Sequence, residues 1–140
     1  MSAPELPAVP QGLLDTSVVT DLEQVVPGSL PIEPTIAAVT LAELTAGPHA
    51  SDDVAERARR QDRLQRFEAL LDPLPFDAAA ARAYGRVYAA TRDHVGAAGG
   101  ARAVDLMVAA TALANDLPLF TRHPGDVDHL RAIGLEVHAV

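Results

Sequence analysis

The sequence contains no cysteine and no lysine, and these two absences exclude several kinds of chemistry. Without cysteine the protein has no disulfide, no thiolate zinc site and no cysteine nucleophile, as is usual for a reducing compartment. Without lysine it has neither a phosphate-binding loop of the GxxxxGK type nor Schiff-base chemistry. All 11 basic residues are arginine, and the net charge of −8 argues against a protein that coats nucleic acid through a broad basic face.

Long apolar runs are also missing. No stretch of about 18 apolar residues occurs, so the sequence predicts no membrane span. The beginning, MSAPELPAVPQ, has neither the basic nor the apolar region of a secretion signal, so we expect a cytoplasmic protein. Three prolines within the first ten residues predict a flexible tail over 1–10, and the remaining length suits one domain over 11–140.

Short apolar runs alternate with helical stretches along the chain. Strands are predicted near 12–14, 35–39, 118–120 and 135–139, with a weaker one near 74–76. Helices are predicted over 17–25, 40–47, from 51 to about 71, over 78–92 and over 103–115, and the third should pack through Val54, Ala58, Leu64, Phe67 and Leu71. This alternation predicts an α/β fold with a central parallel sheet of about four to five strands and helices on both faces.

The stretch GLLDTSVV, residues 12–19, places a carboxylate and two hydroxyls where the first strand gives way to a helix. In a parallel α/β sheet, the carboxyl ends of strands share one edge with the beginnings of helices, and ligands bind there. Four acids fall at this edge: Asp15, Glu43 in the first turn of its helix, Asp105 in the first turn of the helix over 103–115, and Asp126 after the strand that precedes it. For each acid taken alone, the alternative to a functional role is an ordinary role as a helix cap or as an acid in the first turn of a helix.

Asp105 is the least ordinary of these acids, because it heads a helical stripe of Val108, Ala109 and Ala112 that should face the sheet. Carboxylates that converge about 5 Å apart repel each other by about 3 kcal/mol per pair at an effective dielectric constant of about 20. A domain is stable by only about 5–15 kcal/mol. A cluster of four would therefore take up protons or bind cations, and all-oxygen ligation favours Mg²⁺ or Mn²⁺.

Other kinds of site are less well matched by the sequence. His123, Asp126 and His129 have an H-x₂-D-x₂-H spacing that suggests zinc, but the motif begins in a loop and is weak alone. Phosphatases of the haloacid-dehalogenase type need a second aspartate where Ser17 stands, and they and response-regulator receivers need a lysine. A non-catalytic α/β protein-interaction module remains the alternative to an enzyme.

Four segments together resemble the acidic blocks of PIN-domain ribonucleases, and the likeness is strongest to the VapC-type toxins of bacterial toxin–antitoxin pairs. The segments are LLDTSVV, AVTLAEL, RAVDLMVAATAL and LPLFTRHPGDVDHL, so the resemblance spans about residues 12–139. It implies a three-layer α/β/α PIN-like nuclease domain over 11–140.

The resemblance also implies a function and a set of site residues. Asp15, Glu43, Asp105 and Asp126 would be the catalytic acids around one or two Mg²⁺ or Mn²⁺ ions, with the hydroxyls of Thr16 and Thr121 supporting them. The activity would be metal-dependent cleavage of RNA by a water molecule that the metal activates. A homodimer held inactive by a VapB-type antitoxin is the expected assembly, and the apolar pairs Val18/Leu22 and Leu41/Leu44 are surfaces where it could form.

Two positions depart from the family pattern, and two arginines stand next to the acids. Family members often carry Asn in place of His123 and Phe in place of Val127, which leaves Asp128 as an alternative to Asp126 for the fourth acid. Arg102 and Arg122 are candidate RNA-binding residues, with ordinary surface arginines as the alternative. The arginine-rich segment over 57–66 is interleaved with acids and is interpreted mainly as a solvated helix face, with an RNA-contacting face as the alternative.

Overall fold

The computed structural model describes residues 9–95 and 103–140. Within them the strands are β1 (Gln11–Leu14), β2 (Glu33–Thr35), β3 (Leu119–Thr121) and β4 (Val137–Ala139). The α-helices are α1 (Thr16–Thr20), α2 (Ala38–Ala46), α3 (Val54–Leu70), α4 (Ala78–Val95) and α5 (Ala103–Ala114). Short 3₁₀ helices occupy Leu22–Gln24, Pro27–Ser29, Gly47–Ala50, Pro124–Asp126 and Asp128–Ile133.

The four strands form one parallel sheet in the order β2-β1-β3-β4, which confirms the predicted central parallel sheet. Leu13 of β1 lies between Thr35 of β2 and Leu119 of β3. The strand predicted over 35–39 is displaced, because β2 ends at Thr35. The chain then stays extended as far as Ala37, which pairs with Leu74 in an isolated parallel bridge at the place of the weak fifth strand.

Helices cover both faces of the sheet, so the fold is a three-layer α/β/α sandwich. Neighbouring strand residues point to opposite faces, as β geometry requires. Leu13 and Leu119 belong to a core cluster shared with α4 and α5, whereas Leu14 and Phe120 belong to a second cluster shared with α1, α2 and α3. Burying a side chain of this size stabilises the fold by about 1.5–3 kcal/mol. The central strands β1 and β3 are thus covered on both sides, and their carboxyl ends lie at the sheet edge where ligands bind in such folds.

Helices α1 and α3 differ from their predicted extent or packing. The helix expected over 17–25 stops at Thr20, and a 3₁₀ turn, Leu22–Gln24, replaces its second half. The β-branched run Val18, Val19 and Thr20 is a poor helix former, which explains the early stop. In α3 the first half of the predicted stripe is wrong, because Val54 is 81% exposed and Ala58 is also exposed.

The second half of the α3 stripe is confirmed. Leu64 is buried, and Phe67 and Leu71 pack against the same core cluster. Helix α4 begins at Ala78 as predicted, and α3 begins at Val54, three residues later than predicted. Each has an aspartate cap: the Asp53 carboxylate accepts from the Glu56 N–H at 3.3 Å, and that of Asp77 accepts from the Ala80 N–H at 3.0 Å. Such caps satisfy backbone donors that a helix leaves without partners.

The described part of the predicted tail is ordered against β2. The carbonyl oxygens of Val9 and Pro10 accept from the N–H groups of Ile32 and Glu33 at 3.0 and 2.9 Å. The rest of that tail, residues 1–8, lies outside the described residues. No helix in the described ranges is both long and apolar enough to cross a membrane.

Candidate active site

Asp15 is fixed at the carboxyl edge of the sheet, between β1 and β3. Its backbone N–H donates to the carbonyl of Phe120 at 2.8 Å, which continues the pairing of the two strands. Its carboxylate oxygen Oδ2 accepts from the hydroxyls of Ser17 at 2.7 Å and Thr121 at 3.0 Å. The helix-cap alternative fails here, since no N–H of the described helix α1 donates to this side chain.

The two hydroxyls that contact Asp15 are themselves held by the loop after β3. The Oγ of Ser17 accepts from the Arg122 N–H at 3.1 Å, and Oγ1 of Thr121 accepts from the His123 N–H at 3.0 Å. Because each hydroxyl has a single proton, accepting these bonds leaves that proton for the carboxylate. The loop and the aspartate are therefore positioned by the same pair of side chains.

Glu43 lies in the second turn of α2, not in the first turn as predicted, because the helix begins at Ala38. Its Oε1 accepts from the hydroxyl of Thr16 at 2.7 Å. That hydroxyl lies 3.0 Å from Oγ1 of Thr40, which is fully buried one helical turn before Glu43. The pair of threonines fixes the glutamate across the gap between α1 and α2.

Asp105 lies in the first turn of α5, as predicted, and is half-buried. The stripe that follows it is buried in the core: Val108, Ala109 and Ala112 are each 0% exposed. The buried stripe turns the first turn of α5 toward the sheet edge where Asp15 lies, and both residues line the same cavity.

Asp126 ends the 3₁₀ turn Pro124–Asp126 after β3, and it lines the cavity together with His123. Asp128, the alternative fourth acid, is exposed and pairs instead with Arg131, whose Nε lies 2.9 Å from its Oδ1. The local geometry therefore favours Asp126 over Asp128.

All four acids line one cavity of about 240 Å³ at the carboxyl edge of the sheet. Asp21 adds a further carboxylate to the lining and Thr20 adds a hydroxyl, and the sequence had not suggested either residue. Carboxylate and hydroxyl oxygens are the donors that Mg²⁺ and Mn²⁺ prefer, so the chemistry of this set fits a divalent cation. Among the described residues, however, no three acidic or histidine side chains are already close enough to form a metal-binding group.

The zinc interpretation of His123, Asp126 and His129 finds no support. His129 packs elsewhere, with its ring stacked on that of His94 at a centroid distance of 4.6 Å and its Nε2 2.9 Å from the Thr91 hydroxyl. Its pKa is lowered by burial and then by the nearby His94, which opposes a second charge. The spacing in the sequence therefore does not correspond to a shared site.

The guanidinium of Arg122 is engaged within the protein. It donates to the carbonyl of Val140 at 3.2 Å and to Oε1 of Gln24 at 3.4 Å, and it lies 3.8 Å from the Asp21 carboxylate. These contacts favour a structural role for this arginine. Arg102, the other candidate RNA-binding residue, lies outside the described residues.

Ser17 and Thr40 are two further polar residues whose roles the sequence did not indicate. Ser17 follows Asp15 by two residues in the turn from strand to helix, and Thr40 precedes Glu43 by three residues on one helix face. The sequence shows the spacing between each of these residues and its acid. It does not show the partners of the two hydroxyls, because those partners lie on other elements that the tertiary fold brings together.

Comparison with known proteins agrees with this geometry. The PIN domain family matches residues 13–125. The structure of a member of the VapBC family of toxin–antitoxin systems, VapBC-5 from Mycobacterium tuberculosis, superposes with a TM-score of 0.73 and 32% identity, covering 93% of this chain and 98% of that one. No curated protein matches the chain significantly.

Two more distant structures share the fold. VapBC-1 from nontypeable Haemophilus influenzae has a TM-score of 0.71 and 20% identity, covering 92% of this chain and 97% of that one. DNA-bound VapBC from Salmonella typhimurium has a TM-score of 0.69 and 20% identity, covering 94% and 98%. The chain belongs to the PIN-domain family and, within it, to the VapC-type toxins.

Proposed function

We propose that the protein is a metal-dependent endoribonuclease and the toxin of a VapBC-type pair. The observation that carries the proposal is the single cavity lined by Asp15, Glu43, Asp105 and Asp126 at the carboxyl edge of the sheet. Nuclease chemistry based on a divalent cation needs converging oxygen ligands and no side-chain nucleophile. PIN-family membership supports the same activity.

The site residues divide by the contacts they make. Asp15, held through Oδ2 by Ser17 and Thr121, and Asp105 would ligate Mg²⁺ or Mn²⁺. Glu43, oriented by Thr16, would position the attacking water or a second ion, and Asp126 would contribute from the 3₁₀ turn after β3. When bound, the cation would acidify a water and offset charge on the phosphate.

The spacing of the acids in the structure indicates that they would have to move to bind a cation. Since no three of the described acids and histidines form a ready-made metal group, binding would draw the carboxylates inward. Asp126 is exposed and lies in a short 3₁₀ turn, so it has more freedom to move than Asp15. A non-catalytic interaction module would also lack a ready-made metal group. That alternative predicts neither metal binding nor RNA cleavage.

The test is cleavage by the purified protein, freed of any antitoxin. Wild type should cut RNA with Mg²⁺ or Mn²⁺ and stop in EDTA, while a folded Asp15→Asn variant should be inactive. Sequencing of the RNA ends after induction, beside an Asp105→Asn control, would identify the cleavage sites. Cleavage that persists in EDTA or in Asp15→Asn would contradict the mechanism.

The proposed partners are a VapB-type antitoxin and a second copy of the toxin. Crystal structures of VapBC complexes among the similar folds support the antitoxin. The apolar pairs expected to mediate dimerisation are partly used by the monomer, because Val18 is 0% and Leu44 is 6% exposed, whereas Leu22 is 39% exposed. Light scattering over a range of concentrations tests the homodimer, and a monomer throughout would remove it without affecting the cleavage proposal.

A further inference from the structure

A second groove lies beside the acidic cavity, between α2 and α3. It has a volume of about 370 Å³ and shares Thr16, Thr20 and Glu43 with the acidic cavity, so the two spaces adjoin. Its far wall carries two arginines of α3, Arg60 and Arg63. Two positively charged side chains therefore lie next to the acidic cavity.

Arg60 is held rigidly in the wall of the groove. Its Nε donates to Oε1 of Glu56 at 3.0 Å, and its Nη1 donates to the carbonyl of Gly47 at 2.9 Å. Glu56 also accepts from Arg59 at 2.7 Å, and hydrogen bonds from Arg59 and then Arg60 lower its pKa. The one carboxylate that α3 contributes to the groove is thus shared between two arginines and does not make the wall acidic.

Arg63 differs from its neighbours on α3 because it is half-buried and has no ion pair or hydrogen-bond partner within the part of the chain that the structure describes. Arg59 pairs with Glu56, and Arg66 pairs with Asp62 at 2.9 Å. A guanidinium that loses water without gaining a carboxylate is costly in a folded protein. Its planar fork of donors matches a phosphate group.

We propose that Arg63, with Arg60 beside it, binds a phosphate of the RNA strand adjacent to the one that is cleaved. An RNA strand whose reacting phosphate lies at the acids would extend past Thr16 and Thr20 into this groove. Arg63 is then a substrate-binding residue that takes no part in the chemical step. This inference rests on the proposed endoribonuclease function for its choice of ligand, but its test does not require cleavage.

The test is the binding of a fluorescently labelled single-stranded RNA in EDTA, followed by anisotropy. Arg63→Gln should weaken binding about ten-fold, the loss expected for one charge-assisted contact. It should also reduce the slope of log K against log salt by about 0.7, the value for one phosphate on a single strand. Arg63→Lys, which keeps the charge and loses the fork, should fall between the two.

Arg57→Gln is the matched control, because Arg57 is exposed on the same helix and lies outside the groove. It removes the same charge and should leave the affinity and the salt slope near those of wild type. In a cleavage assay with Mn²⁺, Arg63→Gln should raise KM by about as much as it weakens binding and change kcat little.

The other possible outcomes separate the phosphate subsite from the nuclease proposal and from a site for a protein ligand. RNA binding by wild type that Arg63→Gln weakens, without cleavage in any metal, would reject the nuclease and keep the phosphate subsite. Equal affinities for Arg63→Gln and Arg57→Gln, or no RNA binding by wild type, would overturn the subsite. Normal RNA binding with loss of antitoxin binding in Arg63→Gln would assign the groove to a protein ligand and would also overturn it.

Discussion

The Thr121 hydroxyl donates to Oδ2 of Asp15 over 3.0 Å, across 106 positions of the chain. Thr121 ends β3 and Asp15 follows β1, so this bond joins the carboxyl ends of two adjacent parallel strands. The same hydroxyl accepts from the His123 N–H, which ties the loop carrying Asp126 to the aspartate. One buried threonine thus connects two of the four acids of the cavity.

Replacing Thr121 with valine should therefore affect both stability and cleavage. Valine keeps the shape and removes the hydroxyl, which deprives the Asp15 carboxylate of a donor and the His123 N–H of its acceptor and should cost about 1–3 kcal/mol of unfolding free energy. RNA cleavage should fall because Asp15 is no longer fixed. Urea unfolding and initial rates measure the two effects.

Thr45→Val provides the control, since Thr45 is an exposed threonine whose hydroxyl donates only to a carbonyl within its own helix. It should change the unfolding free energy by less than about 0.5 kcal/mol, as surface substitutions usually do. Equal effects of the two substitutions would show that the bond between Thr121 and Asp15 is not important.

Asp126→Asn and Asp128→Asn should separate the two alternatives for the fourth acid. Asp126 lines the cavity, so its loss should lower the rate of RNA cleavage and weaken the response to Mn²⁺. Asp128 pairs with Arg131 on the surface, and its loss should cost at most about 1 kcal/mol of stability and leave cleavage unchanged. The reverse order of activities would transfer the role to Asp128.

The position of the acids could be predicted because it depends on local pattern and on one topological rule. Asp15 and Asp105 follow from where a strand ends and a helix begins, and parallel strands bring those points together. The networks around them could not be predicted, since the Thr16–Glu43 and Ser17–Arg122 contacts join separate elements. For the same reason Val18, expected at an interface, is instead buried in the core.

The stability of the fold should decrease as the pH falls below neutral, and His129 should account for part of the loss. Burial and the neighbouring His94 lower its pKa in the folded protein, while the unfolded chain keeps a value of about 6.5. The unfolded state therefore binds the proton first. The contribution of neutral His129 is fully present above the unfolded pKa and is lost as the pH falls toward the folded pKa.

His129→Gln should consequently flatten the dependence of unfolding free energy on pH below about 6.5. Wild type gives the reference dependence. Urea unfolding at a series of pH values measures both slopes. A slope that His129→Gln does not reduce would show that this histidine is not responsible.

The central claim, that the four carboxylates form a divalent-cation site, is tested most directly by the melting temperature with and without Mn²⁺. Wild type should be stabilised by RT ln(1 + [L]/Kd), about 2.7 kcal/mol at a hundredfold excess over Kd. Asp105→Asn, which keeps the shape and removes one carboxylate charge, should gain much less from Mn²⁺, whatever its melting temperature in EDTA. A melting temperature of wild type that Mn²⁺ does not change, or an equal increase in Asp105→Asn, would contradict the account.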